Sequence, residues 1–135
     1  MDSLPGSRTR ILIVDRNEDL RELFSYFLEL KGFEVRTVPD GAIALTCSAD
    51  FAPDVVFSSL RIAELDGYTL ATRLRQLPQT RNAVLVAMSA YAHESAEVYG
   101  AGFDHYLSKP IAFESLVAIL EPLEAKRHPG QPGVL

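Results

Sequence analysis

The stretch Ile11-Leu12-Ile13-Val14-Asp15-Arg16-Asn17-Glu18-Asp19-Leu20 decides the fold. Four consecutive apolar residues without alternation suit a strand buried on both faces of a parallel sheet. The polar segment that follows suits a helix start. Asn17 can cap it, and Glu18 and Asp19 place negative charge in its first turn. Leu20, Leu23, Phe24, Phe27 and Leu28 then recur at helical spacing, and Gly32 ends the helix.

Outward from this stretch the same alternation repeats. Phe33 to Val38 alternates apolar and polar residues, as a strand with one wetter face at a sheet edge would. Asp40 can cap a helix from Gly41 to Ala49. Val55-Val56-Phe57 reads as a third strand, followed by a loop from Ser59 to Asp66 and a helix carrying Leu70, Leu74 and Leu77. Val84 to Met88 gives a fourth strand, and a weakly periodic helix over 92–100 ends at Gly100-Ala101-Gly102. His105-Tyr106-Leu107 is a short fifth strand. Leu116, Ile119, Leu120 and Leu123 mark the last helix. Five strands alternating with five helices predict an α/β fold with a doubly wound parallel sheet and right-handed crossovers. Residues 1–9 read as a flexible leader and 10–125 as one domain. The Pro- and Gly-rich tail, 126–135, reads as disordered.

Composition excludes several function classes. A net charge of −5 argues against a general nucleic-acid binder. No apolar run approaches the ~20 residues of a membrane helix, and the polar start carries no signal-peptide pattern. One cysteine, Cys47, precludes an internal disulfide and fits a reducing, cytoplasmic setting. His93 and His105 have no metal-ligand spacing, and no nucleophile–base pair stands out, so neither a metal site nor an enzyme is expected. Glu124 to His128 reads as a solvated helix end.

In doubly wound sheets, ligands bind at the carboxyl ends of the strands, near the switch in strand order. The residues just past the strands are Asp15, Arg16, Ser59, Ser89 and Lys109. Asp15 is either a helix-capping or ion-pairing group or a ligand. Arg16 either points to solvent or bridges to Asp15.

The segments ILIVDRNEDL, PDVVFSSLRIAELDGY, VLVAMSAYA and GFDHYLSKPI together resemble the receiver domain of bacterial two-component response regulators, from Arg10 to Leu123. The resemblance implies a flavodoxin-like sheet in the order 2-1-3-4-5. It also implies a phosphorelay role. Such domains phosphorylate an aspartate at the end of the third strand, using Mg²⁺ held by that aspartate and an acidic pair after the first strand. Carried onto this chain, Lys109 is the charge-neutralising lysine and Ser89 the hydroxyl that bonds the phosphoryl group. Tyr106 is the aromatic that changes rotamer, and Asp15 is one member of the acidic pair. The resemblance also makes the Lys109–Pro110 peptide bond cis.

The departures weigh more than the matches. Ser59 stands at the phosphoacceptor position, Arg16 at the second acidic position, and Ala63 where the family usually has proline. The span from Ser89 to Gly102 is shorter than usual, which trims the fourth helix. One carboxylate beside two cations reverses the pocket's charge, and Mg²⁺, a hard cation, should bind weakly or not at all. A serine cannot form an acyl phosphate. The expected function is therefore that of a pseudo-receiver acting by protein–protein interaction, with no cofactor. Its partner would be a histidine kinase, an output protein or a second copy as a homodimer. The docking face would be the last two helices, Ala92 to Tyr99 and Ile111 to Glu121. Two alternatives stand beside it: phosphorylation at an unconventional site, or sensing of an anion or metabolite by Arg16 and Lys109.

Overall fold

The structure, a computed structural model, describes residues 8–61, 65–90 and 95–127. Strands and helices alternate strictly: β1 (Arg10–Val14), α1 (Glu18–Leu30), β2 (Glu34–Val38), α2 (Gly41–Phe51), β3 (Val55–Ser59), α3 (Gly67–Gln76), β4 (Val84–Ser89), α4 (Ser95–Ala101), β5 (His105–Ser108) and α5 (Phe113–Arg127). All strand pairs are parallel, and their order is β2-β1-β3-β4-β5. The alternating segment is thus an edge strand, and the chain reverses direction across the sheet between β1 and β3.

Burial explains the unbroken apolar run in β1. Leu12 and Val14 join one core layer with residues of α2, α3 and α4. Ile11 and Ile13 join the opposite layer, with Phe24 and Leu28 of α1 and Leu116 and Leu120 of α5. Successive strand residues point to opposite faces, so a strand covered on both sides must be apolar at every position.

The helix starts follow side-chain caps. Asn17 Oδ1 accepts from Leu20 N at 3.1 Å, and Asp40 Oδ1 accepts from Ile43 N at 2.9 Å. Asp66 caps α3 in the same way, accepting from Thr69 N at 2.8 Å. Gly32 takes a left-handed φ of 98° just after α1, a conformation that glycine adopts without a Cβ penalty. Helix α2 runs to Phe51 rather than Ala49, because Phe51 packs into the core. Helix α4 is described over Ser95–Ala101, and the expected start at Ala92 lies outside the described residues.

Two assignments change at the amino-terminal edge of the sheet. Thr9, placed with the leader, is 1% exposed; its backbone carbonyl accepts from Glu34 N at 3.0 Å. Its hydroxyl donates to the carboxylate of Glu124. Glu124 is only 7% exposed and so does not belong to a solvated helix end. A run of charged residues shows polarity, but which turn of a helix meets the sheet is set by packing. Among the described residues, no helix is long and apolar enough to cross a membrane.

Candidate functional site

The segments leaving β1, β3, β4 and β5 converge at the carboxyl edge of the sheet on an open pocket of about 470 Å³. It collects all five strand-end residues, Asp15, Arg16, Ser59, Ser89 and Lys109; Asn17, Arg61 and Ala90 complete the lining.

Asp15 is the fixed point of the site, at 3% exposed. Its Oδ2 accepts from Lys109 Nζ at 2.9 Å, and its Oδ1 accepts from Asn17 N at 2.9 Å. The backbone carbonyl of Asp15 accepts from Arg21 Nη1 at 2.7 Å, which ties the first turns of α1 to the end of β1. Both carboxylate oxygens are therefore engaged. Arg16 is exposed, lines the pocket and makes no ion pair with Asp15 among the described residues, so it does not bridge to it.

Lys109 spans the gap between β5 and β1. Its backbone N–H donates to Ser89 O at 2.8 Å, and the Lys109–Pro110 bond is cis. Ser59 and Ser89 are buried at the pocket's inner wall. Ser59 is 5% exposed. Its carbonyl accepts from Ser58 Oγ at 2.9 Å.

Gly67, at the start of α3, holds this wall in place. A Cβ there would lie 2.6 Å from Ser59 O and 2.7 Å from Leu60 Cα, closer than packed atoms approach. Gly67 N donates to Leu60 O at 3.0 Å, and Leu60 N donates to Met88 O at 3.2 Å. Gly67 is not among the candidate residues legible in the sequence. The Asp66-Gly67 pair, a cap followed by the smallest residue, was the available signal.

Two further placements matter. Tyr106 lies in β5 opposite Ala87, half-buried against the core layer of α2, α3 and α4, and is not part of the pocket lining. Arg61 is part of it, and the charge count from strand ends alone omitted it. With Arg61, three cations face one carboxylate across the described lining, formally +2. Ala63 and His93 lie outside the described residues.

Comparison with known proteins agrees with this architecture. The family model of the response regulator receiver domain matches residues 11–121. The chain is 32% identical to an uncharacterised 14.6 kDa protein of Leptolyngbya boryana, over 82% of this chain and 86% of that one. It is 36% identical to the sensor histidine kinase RcsC of Salmonella typhi over 78% of its own length but only 11% of the kinase. It spans about half the length of the transcriptional regulators it matches. The receiver domain of sensor histidine kinase PA1611 from Pseudomonas aeruginosa, whose crystal structure has a magnesium ion coordinated in its active-site cleft, superposes with a TM-score of 0.78 and 25% identity, over 87% of this chain and 98% of that one. The fold, the order of its strands and the family match over most of its length make this chain a member of the response regulator receiver domain family of two-component signalling.

Proposed function

We propose that this receiver has kept the fold and given up the aspartyl-phosphate switch, and that it signals through protein contact in one standing state. One observation carries the reading: the described pocket lining holds a single carboxylate, Asp15, with both oxygens already hydrogen-bonded, and three cations, of which Lys109 pairs with it. Mg²⁺ needs several hard oxygen ligands and near-octahedral geometry. This donor set does not fit it. Ser59, where the family places its acceptor, offers an alcohol, and an alcohol forms a stable phosphate ester rather than an acyl phosphate. Asp15 is the pocket's remaining candidate acceptor, and it is occupied by Lys109 and the Asn17 amide.

The surface also offers a contact face. Of the large apolar side chains exposed among the described residues, Leu23, Tyr26, Phe27 and Leu30 lie on α1, whereas the last two helices contribute Tyr99. Residues 23, 26, 27 and 30 follow the spacing by which a helix presents one apolar stripe. Contact through α1 therefore has more support than contact through α4 and α5.

Intact-mass analysis with Mg²⁺ and acetyl phosphate tests the proposal. The wild-type chain is expected to gain no phosphate, and the double variant Ser59→Asp/Arg16→Asp to regain Mg²⁺-dependent phosphorylation. Stoichiometric phosphate on the wild-type chain would overturn the proposal.

A second reading, an anion-binding module, is favoured specifically by Arg61. Itself engaged in another contact, it adds a third cation to Arg16 and Lys109 in the described lining, which also holds Ser59. Inorganic phosphate or sulfate should then raise the melting temperature of the wild type, and Arg16→Ala should remove that rise.

A further inference from the structure

The outer face of α1 carries two kinds of group side by side. Leu23, Tyr26, Phe27 and Leu30 are between 41% and 67% exposed, whereas the other large apolar side chains exposed among the described residues, Ile43 and Tyr99, stand singly on α2 and α4. The stripe runs on toward α5 through its rings. Tyr26 meets Phe27 edge-on with centroids 5.3 Å apart, and Phe27 meets Phe113 at 5.6 Å. At the amino-terminal end of the stripe, a groove of about 550 Å³ opens between Leu20, Leu23 and Phe24 and the Pro110–Ile111 segment; Asp19 also lines it, and it meets the strand-end pocket at Lys109. Glu22 and Glu29, one turn before and one turn after Tyr26, form the other edge of the stripe. Both are exposed, and neither forms an ion pair among the described residues. Glu18 and Asp19, in the first turn, are accounted for by the positive end of the helix dipole. Glu22 and Glu29 are not. Glu29 lies in the last turn, which holds no basic residue, so its carboxylate faces the negative end of the dipole uncompensated.

We infer that this face docks a helical segment of another protein that carries its own apolar stripe and has Lys or Arg along one flank; the inference rests on the reading that α1 is the contact face. Three features select that partner. Positions 23, 26, 27 and 30 present large apolar side chains at the i, i+3, i+4 and i+7 spacing by which one helix receives another. The carboxylates of Glu22 and Glu29 beside them gain from cations on the partner, Glu29 most, because a cation there also offsets the helix dipole. The exposed rings of Tyr26 and Phe27 offer faces to a guanidinium or ammonium. The same carboxylates disfavour an anionic lipid surface or a nucleic acid. A second copy of the chain fits less well. An antiparallel pair of α1 helices sets the acidic edge against its own counterpart, and a parallel pair aligns like ends of two dipoles.

Calorimetric titration of the full chain at low salt with three synthetic peptides of about 20 residues tests the inference. One is an amphipathic helix of leucine and lysine, the second is its twin with glutamate for lysine, and the third has the leucine–lysine composition scrambled so that no stripe forms. The leucine–lysine helix is expected to bind about tenfold or more tighter than either control. Leu23→Ser/Leu30→Ser should weaken it about tenfold, whereas Ile43→Ser, at an exposed apolar position on α2, should leave it unchanged. Glu22→Lys/Glu29→Lys should weaken it and admit the glutamate twin. Equal binding of the two helical peptides, or indifference to Glu22→Lys/Glu29→Lys, would overturn the basic partner while leaving α1 a contact face. Binding that ignores Leu23→Ser/Leu30→Ser or is matched by the scrambled peptide, or absence of binding by all three, would overturn docking at α1 itself. A chain that sediments as a dimer until Leu23→Ser/Leu30→Ser breaks it would replace the partner with a second copy. Binding that requires Mg²⁺ and acetyl phosphate would leave the docking chemistry intact and overturn the single standing state instead. Melting curves of each variant confirm that losses reflect the face and not unfolding.

Discussion

The two ends of the parallel sheet handle charge in opposite ways. At the amino-terminal end, polar groups are matched to partners. Arg75 of α3 donates to Gly102 O at 2.8 and 3.0 Å, to Arg81 O at 2.9 Å and to Ala83 O at 2.7 Å, and it pairs with Asp104 Oδ2 at 2.7 Å. Asp104 Oδ2 also accepts from Leu85 N at 2.9 Å. Nearby, Asp54 accepts from Arg10 N at 2.8 Å, and Thr9 is joined to Glu124. One guanidinium thus ties α3, the segment before β4 and the turn before β5 into a unit. At the carboxyl end, one ion pair, Lys109–Asp15, spans the rim, and cations outnumber carboxylates in the described lining. There the wall of the pocket is also held by close approach of backbone, Gly67 against Ser59 and Leu60. Where polar groups satisfy one another, they serve the fold.

Substitutions at the two ends can break or sharpen this contrast. The largest effect is expected from Gly67→Ala, which forces a methyl against backbone at both Ser59 and Leu60. Urea denaturation should show a loss of about 3 kcal/mol. A loss under about 1 kcal/mol would mean that the wall yields easily and that backbone packing does not hold the carboxyl rim. Arg75→Ala comes next. It strips three backbone carbonyls and Asp104 of a charged donor and should cost about 2 kcal/mol. Hydrogen exchange should quicken at the start of β5 and leave the β1 and β3 ends unchanged. Exchange that rises equally at both ends would refute the division into a matched end and an open one.

At the pocket rim the expected effects are smaller. Lys109→Met leaves the buried Asp15 with the Asn17 amide and should cost about 1–2 kcal/mol. Arg16→Ala is expected within about 0.5 kcal/mol of wild type, since the side chain is exposed and has no ion pair with Asp15. If Arg16→Ala destabilised the chain as much as Arg75→Ala, the excess charge at the carboxyl rim would be structural after all.

The layout of the fold was legible because burial on two faces leaves a plain mark: unbroken apolar runs such as Ile11–Val14 and Val84–Met88, against the alternation of Glu34–Val38 at the edge. Five pocket residues were legible as well, because in a parallel sheet the residue after each central strand must come to the same edge. The direction of exposed or looping side chains was not. Arg16 and Arg61 are both arginines near strand ends, yet nothing local says that both would line the pocket or that Arg16 would leave Asp15 alone. Glu124 looked like part of a charged helix end, and the short α4 left little periodicity to read.

The sequence by itself determined the alternation of strands and helices and the edge position of β2, because residue type and period record them directly. Only the tertiary structure decided which charges pair. Arg75 meets Gly102 and Asp104 across nearly thirty residues, Thr9 meets Glu124 across more than a hundred, and the apolar groove of α1 opens onto the cationic pocket through Lys109. Those contacts depend on distances between elements that are far apart in the chain, and these are fixed only when the two core layers close over the sheet.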